Sequence, residues 1–511
     1  MGKLKISNTG FAIALFIFGV AVSAYQNRGG SAIPTGDSGS NLISALSMVE
    51  TGEHAWPTYE LGAEGTLKIV SLEKNTVWPP MSASIVAALI KLGFSEHMSV
   101  FIFTVFFAGL TLMLAFVFSL NVTNSFKASL LITLLFFSLW NFQYWISRSY
   151  MPEGLYISIT LLIGVYLMEI IRNHRYSFTN LLLLGILTSS TYYIKSAAPA
   201  FILAVLTSLF IYFLRQGLIK SVKLSSSVAL GVLIGATPWV IRNLYIGTIG
   251  GSGAAGESPL FQSVLSLLRL IVPHHGAYFS SKISLVILGL VLVLIMLIGY
   301  LLIRGFNLKK QHNFISQTTS SMEILFPLIY LLIFIVIIFF AIYIVPKASH
   351  IEERYWMEIF PFIVPIVYLV AKKLFLQKSK NMQQLISILT VSMLITVMVY
   401  NMYETKRNFN KKWTILSSEE EKKEFREKLC SLVPGKTIKY SSNFGNELFA
   451  KSGLSYWNTN TETDALDVVN IYLDFNKDIT IDLLNLGTIK TDSTSKEYLG
   501  EIDNFKVYRL D

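Results

Sequence analysis

Residues 33–39 read Ile-Pro-Thr-Gly-Asp-Ser-Gly and come a few residues after the first hydrophobic run of the chain. The stretch places the carboxylate of Asp37 just beyond the end of a membrane-spanning segment. Apolar residues then recur at helical spacing, at Leu42, Ala45, Leu46 and Val49. This spacing predicts a short amphipathic helix on the membrane surface. Asp37 is therefore a candidate for chemistry at the membrane edge, and the alternative is that Asp37 or Ser38 only caps this helix.

The composition identifies the class of protein. Hydrophobic residues make up 53% of the 511 residues and charged residues only 14%. One soluble core cannot bury so much apolar surface, so the sequence predicts a polytopic α-helical membrane protein. The formal net charge of +10 does not indicate nucleic-acid binding, because the cations are spread through the loops between apolar runs. The single cysteine, Cys430, excludes an intramolecular disulfide.

The first apolar run, residues 10–24, follows Lys3 and Lys5 as the core of a signal peptide would. No A-x-A cleavage pattern follows it, since residues 25–28 read Tyr-Gln-Asn-Arg. We therefore interpret this run as an uncleaved first span.

Runs of about 20 apolar residues predict eleven membrane spans. They lie near residues 8–24, 99–120, 126–144, 153–171, 179–195, 197–214, 225–243, 283–303, 323–345, 356–371 and 383–401. Alternate loops of this arrangement are rich in cations and nearly free of acids, which is typical of cytoplasmic loops. These cations are Lys127, Arg172, Arg175, Arg215, Lys220, Lys223, Arg304, Lys309, Lys310, Lys372, Lys373, Lys378 and Lys380. The loop that carries Asp37 and the C-terminal tail are then both predicted outside the cytoplasm.

Two predicted outer loops are long enough to have structure of their own, residues 25–98 and 246–282. In the first, Pro80 suits the first turn of a helix, and the apolar segment after it has about 14 residues, too short to cross a membrane. We expect that segment to be interfacial or re-entrant. The second loop is glycine-rich and contains His274 and His275.

The composition becomes charged and polar from about residue 405. The sequence therefore predicts two domains, a membrane module over 1–404 and a soluble domain over 405–511. A helix that ends at Pro434-Gly435, and strands near 436–440, 468–473, 479–483 and 505–510, predict a small α/β fold. The domain contains no phosphate loop, metal pattern or catalytic triad.

The charged residues near the predicted spans collect at the outer ends of the spans. They are Arg148, Glu153, Lys195, Arg242, Glu353 and Arg354. Each has a plain structural explanation: Lys195 and Arg242 could extend toward the interface, Trp239 could belong to an aromatic belt, and Arg354 could pair with Glu352. Their common side, shared with Asp37, favours a functional site there.

These residues form a pattern that resembles the GT-C class of integral-membrane glycosyltransferases, especially the lipid A aminoarabinose transferases and protein O-mannosyltransferases. The pattern covers about residues 8–375 and departs from many members at 36–38, where a second acidic residue beside the Asp is missing. It consists of Asp37, Trp78-Pro79-Pro80, Pro152-Glu153, Lys195, Pro238-Trp239 with Arg242-Asn243, and Glu353-Arg354-Tyr355 followed by Pro361.

The resemblance implies transfer of a sugar from a polyprenyl-phosphate donor to a glycolipid, surface-glycan or protein acceptor, with inversion. Asp37 would be the base that deprotonates the acceptor. The donor phosphate would be bound by Lys195, Arg242 and Arg354. Glu153 would be a second catalytic residue that orients the sugar or a basic side chain, although a salt bridge with Arg148 explains it equally well. Other implied substrate contacts are Arg148, Tyr355, His274 and His275.

The resemblance also implies a setting and a set of partners. The expected location is a bacterial inner membrane, with the active site and the C-terminal domain on the periplasmic side, and the expected role is cell-envelope or lipopolysaccharide modification. The expected partners are the lipid-linked donor, the acceptor and membrane lipids, without nucleic acid. No cofactor is expected, and no metal, because His274 and His275 lack further ligands at metal-site spacing.

Two other functions compete with this one. A glycan polymerase or ligase would use the same lipid-linked donors, but a long catalytic loop late in the chain would favour it, and the long loops here are 25–98 and 246–282. A lipid or glycan transporter would explain the spans, but internal repeats and midplane charges are typical of transporters, and the sequence shows neither.

The cation asymmetry predicts the orientation of the chain in the membrane. A reporter fused after Tyr403 should be active outside the cytoplasm, and one fused at Lys309 should be active inside, because Lys- and Arg-rich loops stay in the cytoplasm. Paired alkaline phosphatase and green fluorescent protein fusions measure both positions. The opposite pattern would contradict the predicted outer site.

Overall fold

The structure is a computed structural model. It describes residues 6–28, 36–61, 67–75, 79–139, 141–195, 197–214, 216–245, 322–343, 353–376, 419–432, 437–442, 468–475, 496–502 and 505–510. The predicted spans at 283–303 and 383–401, the predicted strand at 479–483 and the glycine-rich loop at 246–282 lie outside these residues.

Helices dominate the described residues. They are α1 (Ile6–Gln26), α2 (Gly36–Glu50), α3 (Met81–Lys91), α4 (Glu96–Thr123), α5 (Phe126–Ser138), α6 (Glu153–Arg172), α7 (Phe178–Ser190), α8 (Ala198–Leu214), α9 (Leu218–Tyr245), α10 (Met322–Tyr343), α11 (Glu353–Leu376) and α12 (Glu419–Leu432). A π-helix covers Phe142–Arg148 and a short 3₁₀ helix covers Thr191–Tyr193.

Each predicted span that falls on described residues coincides with helix. Four of the described helices are long and apolar enough to cross a membrane: Asn8–Gln26, Glu96–Thr123, Glu153–Arg172 and Leu218–Tyr245. A fifth crossing results if α5 and the π-helix after it form one span. The polytopic α-helical class is thus confirmed for this part of the chain, and the count of eleven stays a prediction.

The predicted single span over 126–144 is broken. The axes of α5 and the π-helix differ by 85°, and the backbone of Leu139 is extended between them, with φ −61° and ψ 135°. The side-chain amide of Gln143 donates to the carbonyl oxygen of Phe137 at 2.7 Å. This hydrogen bond satisfies a carbonyl that the end of α5 leaves without a helical partner, so a local polar contact stabilises the break.

The chain forms two compact units. The first contains residues 1–23, 105–147 and 152–411, and the second contains 24–104, 148–151 and 412–511.

In the first unit, α7 and α9 pack through small residues. A Cβ atom added to Gly231 of α9 would collide with the carbonyl oxygen of Leu182 in α7. A Cβ added to Gly185 of α7 would likewise meet the backbone of Val228. Close approach at small residues is a common way for helices to associate inside membranes, because it increases van der Waals contact. These glycines therefore fix the position of α9 against α7.

The second unit contains a six-stranded sheet. Its strands are β1 (Ala55–Leu61), β2 (Leu67–Lys74), β3 (Thr437–Ser442), β4 (Val468–Phe475), β5 (Lys496–Ile502) and β6 (Phe505–Leu510), in the order β2-β1-β3-β4-β6-β5. β3 and β4 pair in parallel, and the other neighbours are antiparallel. Thus β1 and β2 from the first loop continue the sheet of the C-terminal tail.

One residue pair joins β1, from the first loop, to β3, from the C-terminal tail. Leu61 of β1 pairs with Ile438 of β3. The sequence predicted β3, β4 and β6 and helix α12, but not β1, β2 or β5. The predicted domain boundary at 404/405 divides the chain by sequence order. It therefore assigns β1 and β2 to the membrane module, although they belong to the same sheet as the strands of the tail.

A buried ion pair also links the C-terminal tail to the beginning of α4. Lys422 of α12 donates to a carboxylate oxygen of Glu96, in the first turn of α4, at 2.6 Å. Both side chains are almost completely buried. The pair therefore fixes α12 within the second unit.

Helix α2 is more buried than its pattern predicted. Residues Ser38 to Ala45 are all buried, including polar residues. The side chain of Asn41 accepts from Ser82 at 3.2 Å, and that of Ser44 accepts from Asn75 at 2.8 Å. The expectation of a polar face in contact with water is thus wrong for this helix, because its polar side chains find partners inside the second unit. Helix α3 begins directly after Pro80, as predicted.

The α7–α9 contact predicts a steric effect of one added methyl group. Gly231→Ala should lower the free energy of unfolding by about 1–3 kcal/mol, because the new Cβ meets backbone atoms that cannot move cheaply. Thermal unfolding of the detergent-solubilised protein measures the effect. Gly10→Ala in α1 is the matched control, since a Cβ there meets nothing within 4 Å. Equal melting temperatures for the two variants would contradict the close contact.

Candidate functional site: a buried lysine between two carboxylates

Lys195 lies between two carboxylates in the first unit. Its ammonium donates to Oε1 of Glu153 at 3.0 Å and also to Oε1 of Glu358. The exposed fraction is 6% for Lys195 and 0% for each glutamate. We call these three residues the buried ion cluster.

Three separate chain segments bring the cluster together. Glu153 is the first residue of α6, where the helix dipole stabilises a carboxylate. Lys195 follows the 3₁₀ helix after α7: its backbone N–H donates to Thr191, and its carbonyl accepts from Ala198 at the start of α8. Glu358 lies in the second turn of α11. The cluster therefore ties α6, α11 and the α7–α8 connection to one another.

Tyrosines and phenylalanines surround the cluster. Tyr156 and Tyr330 are fully buried. The Lys195 ammonium lies 5.9 Å from the centroid of the Tyr156 ring. Tyr330 in turn packs on Phe201 and Phe362, with centroid distances of 5.2 and 5.3 Å. The ions thus lie in a largely dry environment, where attraction between opposite charges is strong and an unbalanced charge is costly.

A second ion pair lies at the other end of α6. Arg172 donates to Glu323 of α10 and to Asn121 of α4, both at 3.1 Å. The Arg172 and Glu323 side chains are 33% and 24% exposed, so solvent screens this pair and it contributes little to stability. Glu153, Lys195 and Glu358 therefore share the opposite end of α6.

Arg242 lies in the last turn of α9. Its guanidinium carbon is 4.7 Å from the centroid of the Trp239 ring, and Nη1 donates to Oδ1 of Asn243 at 3.3 Å. Trp239 is only 5% exposed, so an interior position replaces the aromatic-belt role considered for it. Tyr193 stabilises this end of α9, because its hydroxyl donates to the carbonyl of Gly235 at 2.7 Å. Arg242 itself is half-buried.

The other predicted site residues lie in the first or last turn of helices, or outside the described residues. Asp37 is in the first turn of α2, which begins at Gly36, and Arg354 and Tyr355 are in the first turn of α11; for these three only the backbone is described. Arg148 is the last residue of the π-helix and is 8% exposed. His274 and His275 lie outside the described residues. The structure thus brings Glu153 and Lys195 together, and the roles predicted for the site residues stay predictions.

The hydroxyl of Tyr150, in the short segment between Arg148 and Glu153, is buried. Tyr150 is 1% exposed, and its ring contacts Phe103 with a centroid distance of 5.2 Å. Desolvation raises the pKa of the Tyr150 hydroxyl well above its ordinary value. The group therefore stays neutral and is unsuited to act as a base.

The pattern of charges missed Glu358. It is the third residue of the predicted span 356–371, at the outer end, but it was not among the charged residues singled out there. An ionisable residue inside an apolar span is a signal for a buried partner or a functional role, and this signal would have found it. Tyr156 and Tyr330 gave no comparable signal, since tyrosines are frequent in spans.

The described side chains form no cluster suited to a metal ion. No group of three or more His, Cys, Asp or Glu side chains there could hold a metal ion. The side chains of Asp37, His274 and His275 are not among those described, so the absence of a metal stays a prediction.

Comparison with known proteins identifies the fold. No protein-family model and no curated protein sequence matches the chain. Among solved structures, the chain matches one along nearly its whole length with a TM-score above 0.5, so the predicted GT-C-like fold is confirmed. The crystal structure of ArnT from Cupriavidus metallidurans bound to undecaprenyl phosphate matches with a TM-score of 0.52 and 11% identity, covering 98% of each chain.

Two further solved structures resemble the chain more weakly. The apo state of the same enzyme has a TM-score of 0.48, 12% identity and 98% coverage of each chain. The cryo-EM structure of the arabinosyltransferase EmbB from Mycobacterium smegmatis has a TM-score of 0.36 and 14% identity, covering 80% of this chain and 42% of that one. Because the sequence identity is only 11%, the match to ArnT bound to undecaprenyl phosphate establishes the fold alone.

The buried ion cluster predicts a large effect of removing its cation. Lys195→Met should destabilise the protein by about 3–5 kcal/mol, because two buried carboxylates then lose their shared partner. Adding Glu153→Gln and Glu358→Gln should recover most of that loss by removing the two carboxylate charges that the ammonium attracted. Chemical unfolding in detergent measures the free energy of unfolding of the wild type, the Lys195→Met variant and the triple variant. Wild-type stability of the single variant would show that the cluster is not under this electrostatic constraint.

Proposed function

We propose that this protein transfers a sugar from a polyprenyl-phosphate donor to an acceptor at the outer face of the membrane, with inversion at the anomeric carbon. The observation that carries the proposal is the fold match over 98% of both chains to a protein whose structure has undecaprenyl phosphate bound. The apolar helices suit a donor with a long prenyl tail. The acceptor is a glycolipid, a surface glycan or a protein, and the location is a bacterial inner membrane with the site on the periplasmic side.

Arg242 and Arg354 would bind the donor phosphate. A guanidinium makes charge-assisted hydrogen bonds to phosphate oxygens, and its planar shape fits two of them at once. The Trp239 face and Asn243 restrict the Arg242 side chain before any ligand binds. Such restriction lowers the entropy that binding would otherwise lose, which supports Arg242 as a phosphate ligand.

Lys195 and Glu153 receive different roles in this proposal from those implied by the motif. The Lys195 ammonium already contacts two carboxylates, so its attraction for a phosphate is largely offset. Glu153 is fully buried against the same ammonium. We therefore assign phosphate binding to the two arginines, and to Lys195 and Glu153 the ordering of the helices that carry the site.

Asp37 would be the base. Its carboxylate takes the proton of the acceptor hydroxyl while the acceptor oxygen forms a bond to the anomeric carbon. The bond from that carbon to the phosphate oxygen breaks in the same displacement, and the polyprenyl phosphate leaves with the electron pair. A single displacement inverts the anomeric centre. The position of Asp37 in the first turn of α2 favours the ionised carboxylate that this role needs. Arg148, Tyr355, His274 and His275 remain proposed substrate contacts.

The substitution Asp37→Asn tests the proposal. Asparagine keeps an oxygen that can accept from a helix N–H, so little stability should be lost, but it cannot take a proton. Sugar transfer from a synthetic prenyl-phosphate donor should fall by roughly 10² to 10⁴. Donor binding, followed on the same preparation, should remain.

The matched control is Glu50→Gln, which removes an exposed carboxylate at the end of the same helix. Transfer by this variant should equal that of the wild type. Near-normal transfer by Asp37→Asn would remove the base assignment, and no transfer by the wild type with any prenyl-phosphate sugar would overturn the proposed function.

A further inference from the structure

We propose that Glu358 is a positioning residue of the donor site, which acts through Arg354 by holding the beginning of α11 against Lys195. The inference rests on the proposed function, in which Arg354 binds the donor phosphate. Glu358 is absent from the motif pattern and has no role in the proposed displacement.

The placement of the two residues on α11 is the first support. Arg354 lies four residues before Glu358, which is one helical turn, or about 6 Å along the axis. The carboxylate of Glu358 is fully buried and accepts from Lys195. A contact at this point therefore fixes the turn that carries Arg354.

The prolines of α11 are the second support. Pro361 and Pro365 both lie inside the helix. Neither has an N–H to donate to the carbonyl four residues earlier, at Met357 and Pro361, and each ring crowds that carbonyl. The backbone hydrogen bonds that normally couple one turn to the next are thus reduced directly after Glu358. The first turns of α11 consequently depend more on side-chain contacts for their position.

The two parts of α11 have different anchors. After Pro361, Phe362 packs against Phe118 and Phe326, with centroid distances of 4.8 and 5.8 Å. Before Pro361, Glu358 contacts the ammonium of Lys195, which also binds Glu153. Phe360, which also precedes Pro361, stacks on Phe136 at a centroid distance of 5.7 Å. The ionic contact is therefore the charged anchor of the segment that includes Arg354, beside one aromatic contact.

A double-mutant cycle tests the inference. Glu358→Gln keeps the shape of the side chain and one acceptor oxygen but removes the charge that attracts the ammonium. It should raise the donor KM by about tenfold, within the range of coupling between interacting groups, and change the acceptor KM by less than about twofold. In an Arg354→Ala background the same substitution should add less than about twofold, because the residue through which it acts is gone. Binding of undecaprenyl phosphate alone should show the same non-additivity.

The matched control is Glu323→Gln, which removes a glutamate paired with a cation at the other end of the same helix bundle. Its donor KM should equal that of the wild type. Glu358→Asp, which keeps the charge on a shorter side chain, should give a donor KM between those of the wild type and Glu358→Gln. If Glu358→Gln accumulates too poorly to purify, the cycle with Arg354→Ala is measured with Glu358→Asp and should again be non-additive.

The outcomes separate the inference from the proposed function. If the wild type binds undecaprenyl phosphate but the effects of Glu358→Gln and Arg354→Ala multiply, the inference is overturned and the proposed function stands. An equal rise of donor and acceptor KM would overturn it too, since general damage to the fold predicts that result. If the wild type binds no undecaprenyl phosphate and transfers no sugar, the proposed function fails and the inference fails with it.

Discussion

A buried ammonium held by two carboxylates is the constraint on which much of the helical unit depends. Charged groups taken out of water lose their hydration, and only close opposite charges compensate for that loss. Lys195 must therefore stay near Glu153 and Glu358, which lie 42 and 163 residues away along the chain. Because each partner begins or lies near the beginning of a different helix, this electrostatic requirement fixes three segments at one end of the unit. Large aromatic side chains then fill the space around it.

The close packing of α7 against α9 is a second constraint on the helical unit, and it is steric rather than electrostatic. The contact between α7 and α9 has room only for hydrogen atoms at Gly185 and Gly231. It places Gly235 within reach of the Tyr193 hydroxyl and Trp239 near the Tyr193 ring, 6.2 Å between centroids. The Trp239 ring in turn supports Arg242. A steric feature in the middle of two helices therefore determines where a cation lies near the end of one of them.

The sequence predicted well those features that depend on neighbouring residues. Apolar runs located the helices because each span must satisfy its own backbone hydrogen bonds. Pro80 correctly marked the start of α3, and Pro434-Gly435 the end of α12. The motif residues Glu153 and Lys195 were placed at a common end, and the structure brings them into contact. The amphipathic interpretation of α2 failed because periodicity shows which residues are apolar, but not whether polar ones find buried partners.

What the sequence by itself determined is thus the membrane class, most element positions, the GT-C pattern and a candidate set of charged residues, since all of these follow from local composition and spacing. Only the tertiary structure decided which of them meet. The pairing of Leu61 with Ile438 joins residues that are 377 positions apart in the sequence, and no local pattern specifies such a partner. The partnership of Lys195 with Glu358 is decided in the same way, because the folding of the whole helical unit removes water from both and leaves each to compensate the charge of the other.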